Sequence, residues 1–162
     1  MLTSPTQPVI TELPGIVIPE DATIASLRRA GMYDRLKADA WEEINDENFA
    51  VTVTGPRSLS LAEFTESVTT RQVEEVIEKM GYKLALVEDL LAVGAHPEYR
   101  NLQLEFFITA LGSRSSYYDD NPPFVPLLFS LEEERLLGET SAFDTEEWDD
   151  IVDRFLLVDE NA

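Results

Sequence analysis

The sequence predicts an α+β domain, and three observations carry that expectation. Segments within the first 95 residues repeat their apolar positions at helical spacing, and later segments alternate or run apolar as strands do. The chain is also long enough to pack the one kind of element on the other. With 162 residues, 44% of them hydrophobic, one domain is expected. A chain of this size buries roughly 70% of the surface its unfolded form exposes. The predicted architecture is an N-terminal extended arm followed by a helical first half, packed on a small, mainly antiparallel sheet from the second half. The arm is placed at residues 1–20, the domain at 21–158 and an acidic tail at 159–162.

The arm contains Pro5, Pro8, Pro14 and Pro19, each of which fixes φ and removes a backbone donor. Between them stand Val9-Ile10 and Ile16-Val17-Ile18, β-branched pieces suited to pairing with a sheet edge. The arm is therefore expected to serve association rather than folding. Asp21 is the expected N-cap of a helix over 22–30, stopped by Gly31. Tyr33, Leu36, Lys37, Ala40 and Ile44 predict a second helix by their spacing. The alternation from Phe49 to Thr54 predicts a short strand, closed by Gly55-Pro56.

Two capping boxes are expected, Ser60–Glu63 and Thr69–Gln72. After them, Val73, Val76 and Ile77, then Val87, Leu90 and Leu91, form stripes expected in the core with acids on the opposite face. Gly81 is the break between the two stripes, and Gly94 the glycine just past the second helix. Leu102, Leu104, Phe106 and Ile108 alternate as in a strand, and 112–123 is a long polar loop. The run Phe124–Phe129 is a strand that Pro126 assigns to an edge or bulge. Residues 131–138 suit a charged helical turn or a hairpin, and 153–158 a last strand.

Thirty-two acidic residues against twelve basic ones give a net charge of −20. Nucleic-acid binding starts with Lys and Arg neutralising phosphates, so direct binding is disfavoured, as is an anionic membrane surface. Partners with basic or apolar protein surfaces stay open. The absence of cysteine removes disulfides, thiol nucleophiles and Cys-based zinc sites. The first eight residues lack the features of a signal peptide, and no apolar run spans a bilayer. A cytoplasmic protein is expected, or one incorporated in a particle assembled there.

His96 is the only histidine, which leaves no material for Ser-His-Asp or His-rich metal constellations; beside Pro97 it reads as a loop residue. Asp119-Asp120-Asn121 lacks calcium-loop spacing and suits a turn before Pro122-Pro123. Gly55-Pro56-Arg57-Ser58 is too short for a phosphate loop, and neither phosphate-binding glycine motif occurs. No catalytic, metal-binding or cofactor-binding residue is assigned.

The densest charge lies between Ser130 and Ala162, where twelve acids and two arginines give −10. Asp144, Glu146, Glu147, Asp149 and Asp150 surround Trp148, a residue type enriched at interface hot spots. These six residues, with Val9, Ile10, Ile16, Val17 and Ile18 of the arm, are the candidate partner-binding set. The preferred alternative for Trp148 is packing on its own core with the acids in water.

The function expected from this pattern is a non-enzymatic structural or interaction subunit docking on a larger assembly, alone or as a homo-oligomer. A phage-particle component such as a cement, connector or tail accessory protein fits it. The second reading is a DNA mimic inhibiting a nucleic-acid-binding protein: twenty charges match roughly 34 Å of duplex if all lie on one face. A carboxylate-based enzyme ranks third.

Overall fold

Both halves of the chain contribute strands to one seven-stranded mixed sheet, making the domain α+β as the sequence predicts. The computed structural model describes residues 7–34, 44–113, 124–143 and 145–159. Most of the second predicted helix, the polar loop after Ser113 including Asp119–Asn121, Asp144 and the tail from 160 lie outside these residues.

In chain order the elements are β1 (Val9–Ile18), α1 (Ile24–Gly31), β2 (Gly55–Glu63), β3 (Val68–Thr69), α2 (Thr70–Lys79), β4 (Tyr82–Leu84) and α3 (Val87–Ala95). A 3-10 turn (Leu102–Leu104), β5 (Phe107–Thr109), β6 (Phe124–Leu131), β7 (Glu134–Ser141), β8 (Glu147–Trp148) and β9 (Asp153–Asp159) follow. The sheet order is β1-β2-β9-β5-β6-β7, and β4 also pairs with β9. Only the β5–β9 pairing is parallel. On one side β9 meets β2; on the other it meets β5 at its start and β4 at its end. The strand latest in the sequence is thus the centre of the sheet.

Alternation along β9 sorts the core into two clusters. Leu156 joins Leu13, Ile16, Ile18, Leu59 and Leu61 under α1 and α3. Phe155 and Leu157 join Ala62, Val73, Ile77 and Trp148 on the face of α2. Val73, Ile77, Val87, Leu90 and Leu91 are buried as expected, while Val76 is half-buried against the second cluster.

The arm is a strand from Val9 onward, and the sheet edge it pairs with is its own domain's. Its register shifts between Leu13 and Ile16, where Gly15 takes φ 89° in a bulge. Thr23, not Asp21, caps α1: its side chain accepts from Ser26 N–H while Ala22 N–H turns back to Pro19. The Thr69–Gln72 box caps α2 as expected. Ser60–Glu63 is instead in β2, because Leu59 and Leu61 are inward rungs opposite Leu13 and Thr11.

Residues 49–54 form no strand. The strand expected over 102–109 shrinks to β5. Before it, Gln103 is the buried residue, donating to the carbonyls of Phe129 and Leu136, while Leu104 faces water. Pro126 lies inside the sheet, on β6 between β5 and β7. Its carbonyl accepts from Ala110 N–H, so its missing donor faces chain that has already left β5. Gly94 sits within α3, where an added Cβ would overlap the Tyr33 hydroxyl.

Of the two options for 131–138, the hairpin forms. Glu132 and Glu133 make its two-residue turn at φ 50° and 67°. Both central residues of a type I′ turn need positive φ, which favours Asn-Gly. Glu132→Asn with Glu133→Gly is expected to stabilise the protein by about 1–2 kcal/mol, since left-handed backbone costs a side-chain-bearing residue that order. A urea-unfolding midpoint that does not rise would refute the strain.

Leu13, Ile16 and Ile18 are at most 3% exposed. Each buried side chain of this kind contributes about 1.5–3 kcal/mol, so together they rival a domain's net stability of about 5–15 kcal/mol. Deleting residues 1–18 is therefore expected to abolish the cooperative thermal transition seen by circular dichroism. A folded truncated protein would return residues 9–18 to the role of a detachable arm.

Candidate functional site

A groove lies beside β1 at the first core cluster. Leu13 and Leu61 of the sheet line it together with Leu102 and Phe106, and the volume is about 430 Å³. That falls within the range of ligand-sized clefts. Tyr99 closes one side. Its hydroxyl donates to the Pro14 carbonyl at 2.6 Å, and its ring stacks on His96 at 4.5 Å between centroids. His96 in turn accepts from Glu98 N–H through Nδ1, which makes the lone histidine a brace for this turn.

Three acidic residues, Glu12, Glu63 and Glu98, line the groove, with Arg154 as the one cation among the described lining residues. Arg154 donates to Glu63 Oε1 at 3.1 Å and sits 5.0 Å from the centre of the Phe106 ring. It also holds the Asp150 and Ile151 carbonyls. Partial desolvation, then the negative charge of Glu98, raises the Tyr99 phenol, keeping it a neutral donor. The arrangement is suited to holding an apolar body with a positive end.

The structure divides the sequence-derived candidates. In β1, Val9 and Val17 are exposed, Ile10 is half-buried on the second cluster, and Ile16 and Ile18 are buried in the first. Val9 pairs with Glu63, so it stands beside the groove. Trp148 is inside: its indole N–H donates to Thr70 Oγ1 at 2.8 Å and its ring meets Phe155 edge-on. The packing alternative for this ring is the one observed. Glu146 is used within the fold, its side chain accepting from Ser141 and its carbonyl from Thr70 N–H. Glu147 and Asp149 are exposed, Asp150 is half-buried, and Asp144 lies outside the described residues. Of the described candidates, Ile10 and Trp148 meet at the second core cluster, while Ile16 and Ile18 belong to the first.

Glu146, Glu147 and Trp148 instead border a smaller hollow of about 220 Å³ with Phe107 and Asp153. Asp153 and Asp149 hold each other: Asp149 N–H donates to Asp153 Oδ2 and Asp153 N–H to the Asp149 carbonyl. Burial raises the Asp153 carboxyl above its ordinary range, the Asp149 N–H opposes this, and the Asp149 charge adds to it. No group of three His, Cys, Asp or Glu among the described residues is arranged to hold a metal ion. Among the described residues no helix is long and apolar enough to cross a membrane.

Sequence reasoning missed Tyr99, Phe106, Arg154 and the acids Glu12, Glu63 and Glu98. They come from five places in the chain, and no spacing rule joins them. The nearest signal was His96-Pro97, which marks the turn carrying Glu98 and Tyr99. Comparison with protein-family models, with curated proteins and with solved structures gives no match.

A carboxyl raised on folding makes the folded state bind its proton more tightly than the unfolded chain does. Stability from this group is therefore lost as pH climbs from the ordinary Asp range through the raised value. Asp153→Asn keeps an acceptor for Asp149 N–H without the charge. It is expected to be more stable than the parent at pH 7, with the difference shrinking toward pH 4 in urea titrations. Equal midpoints at both pH values would show a fully solvated carboxylate.

Proposed function

We propose that the protein is a non-enzymatic interaction subunit whose groove beside β1 docks on a basic, partly apolar surface of another protein. The observation that carries this reading is an apolar-floored cleft rimmed by Glu12, Glu63 and Glu98 on a chain of net charge −20. Such a field speeds encounter with cationic partners and suppresses wrong ones. It also makes copies of this chain repel one another, which favours a different protein as the partner.

The groove is a better contact than the open edge of β1. Pro14 and the bulge at Gly15 interrupt the edge ladder, devices that blunt strand addition. The Pro14 carbonyl is already taken by Tyr99. Exposed Val9, opposite Glu63, extends the apolar contact at the groove's end.

The test is capture of partners from source lysate with immobilised protein at low and high salt, beside Glu12→Gln/Glu98→Gln. A stoichiometric basic partner is expected, its retention dropping about tenfold or more between 50 and 300 mM salt, as exposed charge pairs are screened. The double variant should lower the association rate more than it raises dissociation. A protein that runs as a free monomer in fresh lysate and retains nothing at low salt would end this reading.

A further inference from the structure

Resting on that docking reading, we propose that the groove takes an arginine side chain of the partner, stacked on Tyr99 and paired with Glu12 and Glu98. The precedent is in the groove itself. Arg154 lies over Phe106 and pairs with Glu63, an acid–aromatic–guanidinium arrangement completed by the chain's own cation. The same groove is lined by a second ring, Tyr99, with Glu98 beside it in sequence, and by Glu12 of β1. Among the described residues neither Glu12 nor Glu98 has a cationic partner. Glu63 alone of the three lining acids is ion-paired among the described residues.

The turn that carries Tyr99 and Glu98 is also held in place. Tyr99 is fixed by its hydrogen bond to Pro14 and its stack on His96, and Glu98 by its N–H bond to His96 Nδ1. A ring ordered before binding loses little entropy on contact. His96 stacks on the ring, and Tyr99 packs against the first core cluster while lining the groove. Arginine fits better than lysine. Its planar guanidinium stacks on an aromatic ring while its fork donates to carboxylates, and it is less strongly hydrated than an ammonium. Its three methylenes would lie along the apolar lining that Leu13 supplies.

The experiment is an amide-resolved NMR titration of the full chain with three blocked tripeptides, acetyl-Gly-X-Gly-amide, where X is arginine, lysine or the neutral isostere citrulline. The arginine peptide is expected to shift Glu12, Glu98, Tyr99 and Leu102. Its binding should be roughly threefold tighter than that of the lysine peptide, the span of a surface cation–π contact, and citrulline should not bind measurably. Tyr99→Leu and, since that change also removes the Pro14 bond, the milder Glu98→Gln should each weaken arginine binding. Glu132→Gln/Glu133→Gln, which removes more charge at the β6–β7 turn, should leave it unchanged.

Equal binding of lysine and arginine, or shifts spread over the acidic surface and lost equally in the turn variant, would overturn the arginine assignment. Failure here is separable from failure of the docking reading. If Glu12→Gln/Glu98→Gln abolishes partner capture while the arginine peptide does not bind, docking stands and this assignment falls. If the peptide binds in the groove but capture ignores that variant, the arginine site stands and docking through the groove falls.

Discussion

Two carboxylates buried in the first turn of α3, Glu88 and Asp89, constrain how the middle of the chain folds. Both are at most 1% exposed, and a buried charge is tolerable only when paired and hydrogen-bonded. Glu88 accepts from the backbone N–H groups of Thr52 and Val53 and from the Thr52 hydroxyl. Asp89 takes a two-pronged bond from Arg57 and accepts the Leu86 N–H as a cap. The pairing raises the Arg57 guanidinium further above its ordinary value. Ser113 completes the cap by accepting Val87 N–H. The positive end of the helix dipole favours both acids there. Residues 52–57 therefore have to lie over the start of α3, and the N–H groups of Thr52 and Val53 go to a carboxylate rather than to a neighbouring strand.

A second buried charge does the same work without a carboxylate. Arg135, on β7, donates to the carbonyls of Gly31, Gly94 and Arg100 and lies 5.0 Å from the Tyr33 ring centre. One guanidinium thus ties the ends of α1 and α3 and the following turn to the hairpin strand. Burial lowers Arg135 and raises the Tyr33 phenol, so the pair meets as a cation and a neutral ring. The Asp34 side chain accepts Arg135 N–H while Asp34 N–H returns to the Arg135 carbonyl, covering the outer edge of β7 at that point. With β9 central and formed last in sequence, the sheet closes only when both ends of the chain are in place. Such long-range pairing slows folding.

What the sequence made legible was local. The Thr69–Gln72 box, the Val73–Ile77 stripe and the final strand over 153–158 follow from neighbours a few residues apart, and the structure contains all three. What was illegible depends on distant partners. The Phe49–Thr54 alternation has strand character, yet Glu88, 36 residues from Thr52, takes its donors. An acidic pair at 88–89 resembles a solvated face until Arg57 and the 52–53 backbone are seen around it. Ser60–Glu63 matches a helix cap, but its neighbours Leu59 and Leu61 had a strand waiting on each side. The groove was least accessible of all, since only tertiary structure brings Glu12, Glu63, Glu98, Tyr99, Phe106 and Arg154 together.

The destinations of the arginines sharpen what the net charge implies. Arg57, Arg135 and Arg154 are drawn onto a buried carboxylate, a cage of carbonyls and an aromatic ring, and none has a mainly exposed side chain. A quarter of the twelve basic residues is thereby withdrawn from the surface. Of the acids, Glu88 and Asp89 go inside, while Glu12, Glu63, Glu98, Glu132, Glu133, Glu147 and Asp149 remain exposed. The potential a partner meets is therefore more uniformly negative than composition alone suggests. Within the groove the same sorting pairs Glu63 with Arg154, while Glu12 and Glu98 have no ion pair among the described residues.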